Sequence, residues 1–142
     1  MKTWDGNLAN FKSVLVDNFN TYVANFNKFC NWIDDYLFVK NDYRIDANLD
    51  FPSEINRNFY NKLFNLIQTF QEKTNCLENR LNNSSYKNQK LDEKGHPIPY
   101  DFSINFNYNL EINKDRYNEL YKQLEENLTA FNLFKNTYGG GN

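Results

Sequence analysis

Glycine, proline and cysteine are scarce in this chain of 142 residues, which has five, three and two of them. The only glycine cluster, residues 139–141, is not followed by the helix that a phosphate-binding loop requires. Cys30 and Cys76 stand singly inside helical patterns, and neither has the Cys-x-x-Cys spacing of a metal or redox site. We therefore expect two reduced thiols and no phosphate-binding loop.

Long apolar runs and an excess of one charge are also missing. No apolar stretch approaches the roughly 20 residues that cross a bilayer, and residues 1–6 lack the apolar run of a signal peptide. Acidic and basic residues are interspersed and the formal net charge is -2, so no basic stripe is available for nucleic acid. The sequence predicts a soluble chain made in a cytoplasm, with neither a membrane nor a nucleic acid as partner.

Catalytic patterns are absent as well. The single histidine, His96, lies in a Gly-His-Pro turn, and the sequence places no serine or cysteine beside it. The adjacent carboxylates Asp34 and Asp35 would diverge by about 100° on a helix, so they could not act on one substrate. We predict that the chain is not an enzyme, has no catalytic, cofactor-binding or metal-binding residues, and needs no cofactor.

Three long helices are predicted from apolar positions spaced three and four residues apart. They cover about residues 7–39, 53–81 and 115–137, with Asp50 or Ser53 as the candidate cap of the second. The first helix carries a heptad repeat whose second and fifth positions are apolar, as in a coiled coil. Its length of about 50 Å would exceed the roughly 37 Å diameter of a compact chain of this size. An elongated molecule or contacts with other chains are therefore expected.

Strands are predicted where apolar and polar residues alternate. Residues 98–112 place a large apolar side chain at every even position and a polar residue or Pro99 at every odd one, which is typical of a β-strand with one buried face. Residues 43–51 alternate in the same way. A turn at Gly95 would join the long strand to a short polar edge strand at residues 86–92. We predict an α+β fold in which the helices cover one face of a small antiparallel sheet.

A single elongated domain is expected over residues 1–138, followed by a flexible glycine-rich tail at residues 139–142. The apolar faces of the first helix and of the long strand are the candidates for the core or for contacts between subunits. The residues on these faces are Phe19, Tyr22, Phe26, Phe29, Ile33, Phe102, Ile104, Phe106 and Tyr108.

The most unusual feature of the composition is its high asparagine content, 27 of 142 residues. This abundance is typical of AT-rich coding DNA. The asparagines are spread through periodic segments instead of forming a low-complexity tract. We interpret them as tolerated polar surface.

Two short patterns carry a resemblance. An Asn-Phe-Asn triplet begins successive heptads at Asn18 and Asn25, and an Asp-x-x-Gly-x-Pro-Ile turn begins at Asp92. In these features the chain resembles small virion structural proteins of tailed phages of low-GC bacteria, of the tail, collar or fibre-attachment type. The resemblance implies assembly in many copies, and it assigns no functional residues. It also implies a place in the virion after synthesis in the host cytoplasm; a chain that no phage encodes would be cytoplasmic.

Two functions follow as hypotheses. The first is a non-enzymatic structural subunit of a larger complex, such as a phage virion or tail, whose partners are copies of itself or other structural proteins. The chain would then be a homo-oligomer or part of a hetero-assembly. The alternative is a monomeric adaptor or inhibitor that offers a strand edge or a helix groove to one partner protein.

Overall fold

The structure is a computed structural model that describes residues 1–83, 92–96 and 111–138. The prediction of three long helices is confirmed close to the predicted positions. The α+β prediction is wrong, because no residue in these three ranges forms a β-strand. The elements are a 3-10 turn (Leu8–Asn10) and the helices α1 (Phe11–Tyr36), α2 (Arg57–Asn82) and α3 (Lys114–Tyr138).

An asparagine sets the beginning of α2. Asn56 is the N-cap, and its side-chain oxygen accepts a hydrogen bond from the Phe59 N–H at 3.2 Å. This bond satisfies one of the amide groups that a helix leaves unpaired at its first turn. The predicted caps, Asp50 and Ser53, lie before the observed cap and are wrong.

Helices α1 and α3 run in the same direction. Near their beginnings, the rings of Phe11 and Tyr117 meet edge to face at 4.9 Å. Near their ends, the rings of Phe29 and Phe134 meet edge to face at 5.5 Å. Because the order of contacts is the same along both helices, the pair is parallel.

Helix α2 is parallel to α1 for the same reason. The ring centroids of Phe11 and Phe59 lie 6.1 Å apart near the beginning of α2, and those of Phe19 and Phe70 lie 5.0 Å apart further along both helices. The chain must therefore return along the full length of α1 before α2 begins. Helices of about 25 residues are about 38 Å long, so this return needs an extended connection.

The interior of the bundle is built from aromatic rings. Burying such a side chain contributes roughly 1.5–3 kcal/mol, and edge-to-face or offset ring pairs add to that. The rings close each other off from water within the chain, without help from a second copy. Among the residues that the structure describes, the largest fully buried aromatic side chains are Trp4, Phe11, Phe19, Tyr22, Phe26, Phe29, Phe59, Phe70, Tyr117 and Phe134.

The returning connection, residues 41–52, is an extended segment that lies over α1 and α2. We call it the second strap, because residues 1–5, described below, form the first strap. Asn41 donates to the Cys30 carbonyl at 3.2 Å, and the Lys12 ammonium donates to the Pro52 carbonyl at 2.9 Å. The strap therefore runs antiparallel to α1. On the side of α2, the ring of Phe51 lies 4.9 Å from that of Phe59.

The predicted strand at residues 43–51 is this strap, so the strand prediction is wrong although the alternation is physically meaningful. Ile45 is buried, and Tyr43, Ala47, Leu49 and Phe51 pack partly buried against the core. An extended chain with one buried face needs alternating side chains whether a sheet or a pair of helices lies beneath it.

Asparagine side chains replace the missing partner strand. The Asn27 side-chain amide accepts from the Ile45 N–H at 2.7 Å and donates to the Ile45 carbonyl at 2.9 Å. A residue in a hydrogen-bonded antiparallel pair exchanges the same two bonds with the residue opposite it. One side chain thus satisfies both main-chain groups of Ile45.

Residues 1–5, the first strap, lie between α1 and α3 and are held in the same way. The Asn18 amide pairs with both main-chain groups of Lys2, at 2.8 Å each. The Asn118 amide pairs with those of Trp4, at 2.8 and 2.9 Å. The interpretation of the asparagines as tolerated surface is therefore wrong for these residues, since they attach the two straps to the helices.

Several predictions fall largely outside the described residues. The predicted strands at 86–92 and 98–112 and the predicted tail at 139–142 lie outside the described residues, except for Asp92, Glu111 and Ile112. These three residues are described and are not in strands. The turn between the two predicted strands is partly described. Gly95 has a φ of 79°, and the Asp92 N–H donates to the His96 carbonyl at 2.8 Å, so the predicted turn is confirmed over these residues.

Candidate functional site

The chain turns sharply at the end of α1 through a residue that is not glycine. Phe38 has a φ of 57°, in the left-handed region, which costs a residue with a Cβ atom roughly 1–2 kcal/mol. The turn lets the N–H groups of Leu37 and Val39 both donate to the Ile33 carbonyl, at 3.2 and 3.3 Å. Leu37 and Val39 are 8% and 4% exposed, whereas Phe38 between them is 80% exposed.

Further rings extend this turn into an aromatic corner, which we define as Trp32, Tyr36 and Phe38. The rings of Trp32 and Tyr36 stack at 5.9 Å, and Trp32 meets Phe134 of α3 edge to face at 6.1 Å. Tyr36 is 59% exposed and Trp32 is 9% exposed. The corner therefore has a buried foundation and an exposed outer edge.

Among the described residues, three of the four large apolar side chains that are strongly exposed lie at this end of the bundle. Tyr36 is the last residue of α1 and Phe38 follows it two residues later, and Leu133, at 65% exposure, lies in the last two turns of the parallel helix α3. The fourth, Leu8, lies near the opposite end, before α1. Exposed apolar side chains that gather at one place are typical of protein-binding surfaces.

Charged groups hold the second strap beside the corner. Arg44 donates to Asp34 at 3.0 Å, to Asn31 at 2.5 Å and to the Asn41 carbonyl at 2.9 Å. The hydrogen bond from Arg44 is the main reason that the pKa of the Asp34 carboxyl lies below its ordinary value. Because α1 supplies Asp34 and the strap supplies Arg44, the pair ties the strap to the helix just before the turn.

The candidate contact residues of the first helix lie inside the chain. Each is exposed by 1% or less, and the rings of the four aromatic ones contact rings on α2 or α3. The candidates are Phe19, Tyr22, Phe26, Phe29 and Ile33. The four candidates on the predicted long strand, Phe102, Ile104, Phe106 and Tyr108, lie outside the described residues. The heptad pattern of α1 therefore serves this bundle's own core.

One polar group per helix meets at the centre of the bundle. The Tyr22 hydroxyl lies 2.9 Å from the Thr74 hydroxyl, and the Asn127 amide donates to it at 3.4 Å. Burial raises the pKa of Tyr22 to about 12, so the hydroxyl stays protonated and can bridge its partners. These three side chains can form their hydrogen bonds in only one alignment of the three helices, so they stabilise that alignment, as buried polar residues do in coiled coils.

Cys30 lies in α1, Cys76 lies in α2, and His96 lies in the turn at residues 92–96. Both thiols are free, as predicted; Cys30 is buried and Cys76 is exposed. Burial raises the pKa of Cys30 to about 12, which keeps the thiol protonated and unreactive near neutral pH. His96 is exposed in its turn.

Neither a metal site nor a membrane-spanning helix is found in the described part of the chain. In it, no three side chains among His, Cys, Asp and Glu come together as metal ligands. No helix in that part combines the length and the apolar character needed to cross a bilayer. Comparison with known proteins found no matching family, no matching curated protein and no matching solved structure.

Phe38 is the residue that sequence reasoning missed. It lies in the apolar run Tyr36–Val39. Because all four residues of this run are apolar, the spacing of apolar residues three and four positions apart cannot show which side chain faces outward. One signal was available, because Phe38 does not continue the stripe that runs through Phe29 and Ile33. The left-handed turn that exposes it has no local sequence signal, since glycine or asparagine is the usual residue there.

Proposed function

We propose that the chain is a non-enzymatic subunit of a protein assembly and that the aromatic corner is its docking surface. The observation that carries this proposal is Phe38, an aromatic residue that is 80% exposed in a left-handed conformation. The turn requires a positive φ, but it does not require a ring. Glycine or asparagine would make the same turn with less strain, so the ring is best explained by a contact outside the lone chain.

The leading form of the proposal is a structural subunit of a larger complex, such as a phage virion or tail, that binds copies of itself or other structural proteins. Aromatic side chains on a rigid base are the residues that most often dominate such contacts. Trp32 and Phe134 provide that base beneath Tyr36. In this form the protein is located in the virion if a phage encodes it, and otherwise in the cytoplasm.

The second form is a monomeric adaptor or inhibitor that docks the same corner on one partner protein. A specific observation favours it: the aromatic stripe that the heptads place on α1 is already buried within the chain. A long helix whose stripe is satisfied internally does not need a second copy in order to fold. The two forms share the docking surface and differ in whether the partner is a copy of this chain.

The test is the absolute mass of the chain by size-exclusion chromatography with light scattering, over a hundredfold range of concentration. The structural form predicts a defined oligomer or larger assembly, and Phe38→Asn is expected to lower its mass towards the 17.0 kDa of the monomer, because the contacts made through the corner are lost. Leu8→Asn is the matched control, because Leu8 is 62% exposed at the other end of the bundle. This control is expected to assemble as the unchanged chain does.

A monomer at every concentration would contradict self-assembly and leave the adaptor form. That form then predicts a specific protein captured by the unchanged chain and by Leu8→Asn, and lost with Phe38→Asn. Capture that is equal for all three would contradict the corner as a docking surface.

A further inference from the structure

The groove between α1 and α3 recognises the first strap mainly by its main chain. Asn18 on α1 and Asn118 on α3 each pair with both main-chain groups of one strap residue, Lys2 and Trp4. Such paired bonds need the N–H and the carbonyl of one residue to point the same way, as in an extended chain. They do not depend on the side chain of the residue that is bound.

One side chain of the strap adds specificity. Trp4 is 2% exposed, and its ring meets Phe11 at 5.0 Å and Tyr117 at 6.5 Å. Its indole N–H donates to the Asn7 carbonyl at 2.8 Å and to the Asn10 side chain at 2.9 Å. The groove is therefore a seat for an extended segment with a tryptophan anchor.

The seat is incompletely filled. A cavity of about 270 Å³ lies beside the strap, lined by Lys2, Thr3, Tyr121, Lys122 and others. The Tyr121 hydroxyl is buried and has no hydrogen-bond partner in the described part of the chain. Besides the two amides and the anchor, two exposed ion pairs hold the strap, from the Met1 amino group to Glu125 at 3.0 Å and from the Lys2 ammonium to Asp17 at 2.6 Å. Exposed ion pairs contribute little, so this segment, which lies next to unfilled space, is attached less firmly than the aromatic core.

A glycine links the strap to α1. Gly6 has a φ of 90°, which residues with a Cβ atom rarely adopt. The chain enters the 3-10 turn at Leu8 soon afterwards. A glycine directly after an anchored segment is a joint at which the chain can change direction, and such a joint lets a segment leave its own groove and enter another.

We propose that the groove between α1 and α3 also accepts residues 1–5 of a second copy, so that copies exchange straps. The donor makes the same amide pairs and seats the same tryptophan, and only the covalent connection differs. The balance between the two states is then set by concentration, since the chain's own strap is present at a high effective concentration. This inference extends the proposed assembly role to a second contact, at the end of the bundle opposite Phe38.

The first experiment measures whether the groove binds a strap that belongs to another molecule. The probe is the peptide acetyl-Met-Lys-Thr-Trp-Asp-Gly with a fluorophore at its carboxyl end, and the readout is fluorescence anisotropy. The full chain carrying Trp4→Ala is expected to bind it saturably, because its own anchor is missing. The unchanged chain is expected to bind at least tenfold more weakly, because its own strap competes.

Matched controls make this result specific. Adding Asn118→Ala to the Trp4→Ala chain, or replacing the peptide's tryptophan by alanine, is expected to weaken binding at least tenfold. Phe38→Asn added to the Trp4→Ala chain is expected to leave binding unchanged, so failure here is distinguishable from failure of the proposed docking corner. Binding that neither control weakens, or no saturable binding to the Trp4→Ala chain, overturns the proposal.

A second experiment keeps the strap intact, in case Trp4→Ala does not fold. One chain carries Thr3→Cys and another carries Lys122→Cys, at two residues that line the same cavity, and both carry Cys76→Ser. Exchange predicts a mixed disulfide-linked dimer when the two chains are oxidised together. A chain with Lys40→Cys, at the other end of the bundle, replaces the Lys122→Cys chain as control, and a yield no greater than this control's overturns the exchange.

Discussion

Phe26 and Phe38 are the same residue type, twelve positions apart, in opposite situations. Phe26 is fully buried in α1, and its ring meets that of Phe131 at 5.8 Å. Phe38 is 80% exposed, at a strained turn. The buried ring stabilises the fold, whereas the exposed ring destabilises the lone chain or leaves it unchanged. The comparison separates residues that make the bundle from residues that the bundle presents to a partner.

The largest effect is expected from truncating the buried ring. Phe26→Ala should lower the free energy of unfolding by about 3–5 kcal/mol, because it removes buried apolar surface and leaves a cavity. The measurement is urea unfolding followed by circular dichroism. The matched variant Phe38→Ala should change the same quantity by less than about 0.5 kcal/mol, as exposed substitutions usually do. Equal losses would break the comparison.

Alkaline pH should also act on the interior. Burial raises the pKa of Tyr22 to about 12 and raises the pKa values of Tyr117 and Tyr121 as well. The unfolded chain ionises its tyrosines near pH 10, so stability should be constant below pH 10 and should fall as pH rises from about 10 to 12. For Tyr22 alone the loss is on the order of 2–3 kcal/mol.

The measurement is the free energy of unfolding at a series of pH values, with tyrosinate absorbance as a second signal. Tyr22→Phe is the control, because it removes the ionising group and should flatten part of the decline. A folded chain whose tyrosines all ionise near pH 10 would contradict the buried positions of these hydroxyls.

The attachment of the first strap should have an intermediate effect. Asn118→Ala leaves the N–H and the carbonyl of Trp4 without their partner, which should cost about 1–3 kcal/mol. Hydrogen exchange at the Trp4 amide should rise together with this loss. Asn132→Ala, at an exposed position on the same helix, should change stability by less than about 0.5 kcal/mol. Equal effects would mean that Asn118 is merely a surface residue.

The smallest effect is expected from replacing the exposed ring, Phe38, by a residue that suits the turn. Phe38→Asn should raise the free energy of unfolding by about 0.5–1 kcal/mol, because asparagine adopts a positive φ with less strain. Thermal unfolding of this variant beside Phe38→Ala is the measurement, since alanine removes the ring but keeps most of the strain. If Phe38→Asn is clearly less stable than the unchanged chain, then the ring supports the fold and the proposal for the corner loses its basis.

The three helices could be read from the sequence because their stripes are local. Buried positions such as Phe19, Tyr22 and Phe26 follow from spacing alone. Whether a stripe faces its own chain or another cannot follow from spacing, because both arrangements bury the same side chains. Helix length therefore suggested contacts between chains that the parallel bundle provides internally.

The alternating segment at residues 43–51 shows the same limit in another way. Alternation reports an extended chain with one buried face, and it carries no information about what lies opposite the main chain. The alternation predicts a sheet because strands usually supply those hydrogen bonds. Here Asn27 supplies them from a helix, and its pairing with Ile45 depends on residues far apart in the sequence coming together.

Composition and periodicity alone thus determined that this chain forms three long amphipathic helices with an aromatic core and free thiols. Only the tertiary structure decided that the helices are parallel, that asparagine amides attach the straps, and that Phe38 points outward in a left-handed turn. The physical reason is range. Helix propensity and burial patterns act between near neighbours, whereas helix direction, strap attachment and the exposure of one ring depend on which distant residues meet.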